Sequence, residues 1–431
     1  MKKIILSVAV ATMALSTVAS ALEDIKVSGQ AKLWYETQDA GSYMSGNDAA
    51  GTKTDKNLLD AQSSTGEVVF KLGVTGKQGN VGFGTTIYQS STMGLEGVVV
   101  GAVRTKNSSQ MYVGEAYITA PLVASTIMKF GKQELDTPMA FTERWNAAPN
   151  TFNAAVLVNN SVDNLTLIAA YVGQSDNEGT WKRDNEVDDQ YYGGAFAVAA
   201  LYKTDAFGLN AWAYQINNVG GATTQRTITT PYLTHGGNSV NAYWLDATVK
   251  AGPVALKAYA AMVSTDQDAP TGTNNGHVGD STTAVALSAG MKAGPVNLFL
   301  AGSTLTEGQY HVANTATGFK KTKLPTAGVY TDGVYVAAPA STAFKLKASG
   351  KAGSTGLALQ AVMNTNSDDD RYTPTTSGKN IKDTTEIDLI ITQKLGDFNF
   401  KAILLNRTFA DSVTDKASGG NHFRVITSVN F

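Results

Sequence analysis

The chain has no cysteine among its 431 residues. That excludes a disulfide framework and any zinc or iron–sulfur centre built on thiolates. Charged residues make up only 16%, against about 25% in an ordinary soluble domain. The balance of 34 basic to 36 acidic residues leaves no cationic surplus of the kind that nucleic-acid binding needs. Past the N-terminal segment, no apolar run approaches the roughly 18 residues of a spanning helix. Histidine occurs only at His235, His277, His311 and His422, and these are scattered. No H-E-x-x-H, G-x-S-x-G, phosphate loop or paired-thiol motif is found, so enzyme activity is not expected.

What is present starts with "MKKIILSVAVATMALSTVASA". Two lysines, a short apolar run broken by Ser7, Thr12 and Ser16, and Ala19-Ser20-Ala21 form the pattern of a cleaved export signal. Residues 1–21 are therefore expected to leave, and 22–431 to form one domain. Without Lys2 and Lys3 the basic count is 32 against 36 acidic residues, a mildly acidic balance.

From Ile25 to Phe431 the texture is uniform and no linker interrupts it. Short segments alternate apolar and polar residues with period two, the signature of half-buried strands. In "GEVVFKLGVT" Val68, Phe70, Leu72 and Val74 share one face, and Glu67 and Lys71 share the other. Eighteen such segments can be marked, ending in "HFRVITSVNF". The connections alternate between two kinds. Short ones such as "AGP" (twice), "LGD" and "SVD" are rich in turn residues. Long ones fall at 37–65, 90–109, 133–151, 174–190, 218–240, 265–282, 306–341, 366–384 and 408–420, and most are polar and loose. One tight rim and one loose rim predict an all-β transmembrane antiparallel barrel of about 18 strands, with short periplasmic turns and long extracellular loops. An open sheet would leave backbone groups unpaired in lipid, so the last strand must pair with the first. Trp34, Tyr35, Tyr88, Tyr117, Tyr171, Tyr202, Trp212, Tyr214, Tyr243, Phe398 and Phe431 are expected to form interfacial girdles. The residue pattern leaves three readings open: a diffusion channel, a barrel with another task (adhesin or enzyme), and a secreted soluble β-protein.

The stretch "FGKQELDTPMAFTERWNAAPNTFNAAVLVNN" (130–160), followed by "NLTLIAAYVG", resembles the major outer membrane porin family of epsilonproteobacteria, itself similar to the outer membrane porin D group. The resemblance implies an eighteen-stranded Gram-negative outer-membrane barrel, usually a homotrimer, that passes ions and small hydrophilic solutes. It further implies lipid and lipopolysaccharide as surroundings. The terminal Phe431 resembles the assembly signal that the barrel assembly machinery reads. In porins the third long loop, here about 133–151, folds inward and narrows the pore. Its Met139, Phe141 and Trp145 fit that fold, since a loop left in water rarely carries them.

The expected constriction set is Glu134, Asp136, Glu143 and Arg144 on the loop, with Lys129 and Lys71 on the wall. Alternation places Glu67, Glu115, Lys345, Lys347, Arg407 and Arg424 toward the lumen, together with Lys257, Lys401, Asp246, Glu386 and Asp388. Charges on a lipid face are costly, which supports that phase. The mild acidity leans toward cations. "DNEVDD" (184–189) and "NSDDDR" (366–371) could offer oxygen ligands to calcium, but neither has a calcium-loop spacing. No other cofactor is expected.

Overall fold

The computed structural model describes residues 22–38, 58, 64–96, 110–176, 194–219, 238–265, 280–317, 321–367, 381–411 and 417–431. Eighteen strands follow in order. They are β1 (Glu23–Gln38), β2 (Ser64–Gln78), β3 (Val81–Glu96), β4 (Gln110–Val123), β5 (Thr126–Gln133) and β6 (Thr151–Val162). Then come β7 (Leu165–Asp176), β8 (Ala195–Lys203), β9 (Phe207–Val219), β10 (Asn238–Ala251), β11 (Val254–Thr265) and β12 (Thr282–Ala293). The last six are β13 (Val296–Leu305), β14 (Ser341–Ala352), β15 (Thr355–Asn366), β16 (Ile381–Leu395), β17 (Phe398–Asp411) and β18 (Ala417–Asn430). Each pairs antiparallel with its neighbour in sequence, and β1 pairs with β18 from Gln30↔Asn430 to Gln38↔His422, which closes the barrel. The N-terminal segment 1–21 and the acidic runs at 184–189 and 368–371 lie outside the described residues.

The turn chemistry explains the tight rim. Gly252 and Gly294, the glycines of the two "AGP" turns, have φ of 60° and 59°. Positive φ at the first central residue is the primed-turn geometry that suits two-residue hairpins. At the closure, Gly29 N–H donates to Phe431 O at 2.7 Å and Phe431 N–H donates to Gly29 O at 3.0 Å. The Phe431 ring lies over Gly29, where any Cβ would overlap it.

Alternation now has a physical partner on each side. Outward residues such as Phe70, Leu72, Val198, Leu287, Leu300, Phe344, Leu346 and Leu359 are exposed all around the barrel. An apolar belt of that extent far exceeds what a soluble monomer shows and matches a lipid face. Tyr171, Tyr202, Tyr243, Phe398 and Phe431 are also exposed, as the girdle expectation requires. Trp34, Tyr88, Trp212 and Tyr214 are not; they are buried inside. Their strand phase, not their nearness to a strand end, decides the side, and they leave the girdle set.

The interior is divided. Across β6–β11 two lumen-facing rows are apolar. One row runs Val156–Ala170–Ala197–Tyr214–Ala242–Val263, and the next runs Val158–Ile168–Ala199–Trp212–Trp244–Ala261. The row beyond them carries Asp246, which faces inward as expected and pairs with Lys257 at 2.9 Å. Across β14–β18 and β1–β2 the corresponding positions carry Lys345, Glu386, Arg407, Gln360, Asp388, His422, Arg424, Glu36, Lys32 and Glu67.

Candidate functional site

Just before the third long loop (134–150), β5 contains Gly131, whose φ is 117°, in a place where a Cβ would overlap Ala116 O. Only glycine adopts that backbone there without strain. The loop then forms a small hairpin. Thr142 N–H donates to Leu135 O at 2.8 Å, and Leu135 N–H donates to Thr142 Oγ1 at 3.1 Å. Thr137 Oγ1 donates to Ala140 O at 2.7 Å across Pro138. Asn150 Oδ1 accepts from Glu143 N–H at 2.7 Å and ties the far end. Met139 and Phe141 are 0% and 1% exposed, while Trp145 stays 37% exposed. Lys32 on β1 donates to Asn146 O at 3.2 Å and Ala147 O at 3.1 Å, so the loop reaches across to β1, four strands round the wall from β5.

Residues 306–340, between β13 and β14, differ from the expectation of a loose outer loop. Tyr310, His311, Val312, Ala313, Asn314, Leu324, Val336 and Ala337 are all buried. The segment packs on the apolar rows and on the third loop, and it includes a 3-10 turn at Thr315–Thr317. The signal was present in "VYVAAPA" (334–340), an apolar run too rich for a solvated loop; the Gly, Thr and Asp around it masked it.

The two loops form one platform. Asn314 accepts from Phe141 N–H at 3.1 Å and donates to Phe141 O at 3.0 Å and to Glu143 Oε1 at 3.3 Å. Thr315 donates twice to Met139 O, through N–H at 2.8 Å and Oγ1 at 2.7 Å. The platform is clasped to the charged wall by Glu386. Its carboxylate accepts three consecutive backbone N–H groups, those of Val329 at 2.5 Å, Tyr330 at 3.0 Å and Thr331 at 2.6 Å. Arg424 donates to Tyr330 Oη and pairs with Glu36 at 3.0 Å. The Arg407 guanidinium lies 5.6 Å from the centroids of both Tyr330 and Tyr335. Lys345 donates to Ala327 O. Within the loop, burial pushes the Asp332 carboxyl above the usual carboxylate range, against the pull of Lys321 and the Thr322 N–H.

The expected constriction residues divide accordingly. Glu134, Asp136 and Arg144 meet on the open face of the platform. Arg144 Nε binds Glu134 Oε2 at 2.7 Å and its Nη1 lies 3.8 Å from Asp136; Lys323, which the sequence reading missed, binds Asp136 at 2.8 Å. The result is a strip of two acids and two bases rather than a purely acidic edge. Arg144 and Asp136 side chains are 55% and 58% exposed. Glu143 is instead turned into the seam between the loops, where it accepts from Asn314. Lys129 places its ammonium 3.7 Å from the Tyr117 ring centroid. Lys71 sits over Tyr88 at 5.6 Å. Neither makes an ion pair with a loop acid among the described residues. Glu115 accepts from Thr86 at 3.1 Å, and Glu67 is buried opposite Trp34. Lys347 shares its row with Gln360 and Asp388. Arg407 and Arg424 face inward as expected, but they grip the 306–340 segment, the seventh of the long loops.

No family model matches the chain, and no curated protein matches it by sequence. Solved structures do match in shape. Acinetobacter baumannii OccAB1 superposes with a TM-score of 0.68 at 13% identity, over 95% of this chain and 97% of that one. Pseudomonas aeruginosa OpdK with vanillate gives 0.64 at 12% identity over 95% and 98%. Pseudomonas aeruginosa OpdQ gives 0.64 at 14% identity over 95% and 99%. The whole barrel thus has the fold of these proteins.

Proposed function

We propose that this chain is a Gram-negative outer-membrane porin, a water-filled channel for passive diffusion of ions and small hydrophilic solutes. The observation that carries the reading is the pairing of a lipid-ready exterior with a closed interior narrowed by two inward loops whose open face is charged. A soluble β-protein has no use for an apolar exterior, and an adhesin has no use for a platform inside its lumen. Purified protein in a planar bilayer should produce stepwise conductance; a sealed bilayer would contradict the reading.

Glu134, Asp136, Arg144 and Lys323 form the neck in this proposal, with Lys71 and Lys129 on the facing wall. The finer assignment, to the epsilonproteobacterial major porins within the wider porin D-like group, rests on the 130–160 stretch. Homotrimeric assembly and lipopolysaccharide contact belong to the same reading and are tested by native electrophoresis of the extracted protein. Calcium on the acidic runs is a separate proposal, which calorimetry with calcium decides. Recognition by the assembly machinery is assigned to Phe431. Its ring fills the notch over Gly29, so Phe431→Ser should sharply lower the amount of heat-modifiable barrel in membranes. Wild-type amounts would count against that role.

A further inference from the structure

Between the third loop and the wall of β5–β9 lies a cavity of about 240 Å³. Leu135 and Ala140 close it on the loop side; Val156, Ala197, Trp212 and Tyr214 form its floor. The Trp212 and Tyr214 rings are stacked, 5.8 Å apart and 10° from parallel, so the floor carries a parallel aromatic pair. An apolar cavity of about 150 Å³ stays dry and takes up benzene, so this one has room for a single ring with a small substituent.

The rim is charged, but its charges are already engaged. Glu134 is held by Arg144 at 2.7 Å, Asp136 by Lys323 at 2.8 Å, and the Lys129 ammonium rests 3.7 Å from the Tyr117 ring centroid. A charged headgroup would have to break one of these contacts and then sit against hydrocarbon, which solvates no charge. An uncharged ring loses nothing at the rim and gains contact with the aromatic floor.

We propose that this cavity is a binding site for small uncharged aromatic solutes of the phenol or indole class, held beside the neck with the ring against Trp212 and Tyr214. The proposal rests on the channel reading for its access route and names a solute class for it. Glu134 and Asp136 line both the cavity and the neck, so occupancy would interrupt the ion current.

Single-channel recording tests it. Current steps in phenol-free buffer test the channel itself, independently of the cavity. Added phenol should produce interruptions whose frequency rises in proportion to its concentration. Ala197→Leu, which fills the floor, should cut that frequency at least tenfold. The Ala197-dependent component in benzoate should be at least tenfold rarer than in phenol. Equal frequencies in phenol and benzoate, or no loss in Ala197→Leu, would overturn the proposal. If that variant does not assemble, wild-type crystals soaked in 4-bromophenol decide: bromine between Leu135 and Trp212 supports the site, and bromine absent from the cavity overturns it.

Discussion

The two halves of the lumen wall hold the same platform by different physics. Along β6–β11 the wall offers Ala, Val, Ile and Trp, and the loops answer with Met139, Leu135, Val312, Ala313 and Leu324. Along β14–β18 and β1 the wall offers Glu386, Arg407, Arg424 and Lys32, and the loops answer with backbone N–H and C=O groups and the Tyr330 ring. Hydrophobic contact scales with area and is non-directional, so the apolar half gives attachment without a unique register. Charge-assisted hydrogen bonds are directional, so the charged half sets where each loop residue sits. The open charged strip then faces the space that neither half fills.

The sharpest way to break this comparison is Glu386→Ala. It strands three N–H groups, each costing about 1–3 kcal/mol when buried without a partner. The seventh loop should detach from the charged wall while the barrel stays closed. Trypsin cleavage at Lys321 or Lys323 in the folded protein should then accelerate at least tenfold, since about 1.4 kcal/mol corresponds to each factor of ten. Unchanged cleavage would mean that the apolar half alone holds the loop.

The next effect is on the other wall. Met139→Ala removes a fully buried side chain, at a typical cost of about 2–5 kcal/mol. The third loop should be less firmly seated, and open-channel current noise should rise. A quiet channel would place the anchoring in the Asn314 and Lys32 contacts instead.

The smallest effect separates the strip from the seam. Glu134→Gln with Asp136→Asn leaves Arg144 and Lys323 without their partners at an exposed site. The reversal potential in a salt gradient should shift toward anions, by a modest amount because exposed pairs are weakly coupled. Glu143→Gln should leave the reversal potential near wild type, because Glu143 lies in the seam. An equal shift from both variants would refute that division.

The barrel was legible because two periodicities write it plainly. Period two in "GEVVFKLGVT" and its counterparts marks each strand, and the alternation of "AGP"-type turns with long loops marks the two rims. The ring closure from Gln30↔Asn430 onward follows from the need to pair the last strand in lipid. Side-chain direction at the third loop was also readable, from Met139 and Phe141. The seventh loop was not, because its polar residues serve as internal ligands: Asn314, Thr315 and Thr322 bond to backbone groups inside the barrel. Composition does not distinguish a polar side chain that faces water from one that replaces it. The pairing of Asp136 with Lys323 joins residues 187 apart in the chain, and no local spacing rule reaches that far. The same holds for Arg424 and Glu36, 388 residues apart.

The absence of cysteine makes the central claim directly testable. Single cysteines can be placed on each half of the lumen and modified with a charged, water-soluble thiol reagent during bilayer recording. Conductance should fall stepwise for Lys71→Cys and Trp145→Cys, which face the open space. It should stay unchanged for Ala242→Cys and Val263→Cys, which lie in the apolar rows and are fully buried. Block at Ala242 and Val263 with silence at Lys71 and Trp145 would contradict the account, because the ions would then be passing along the apolar wall.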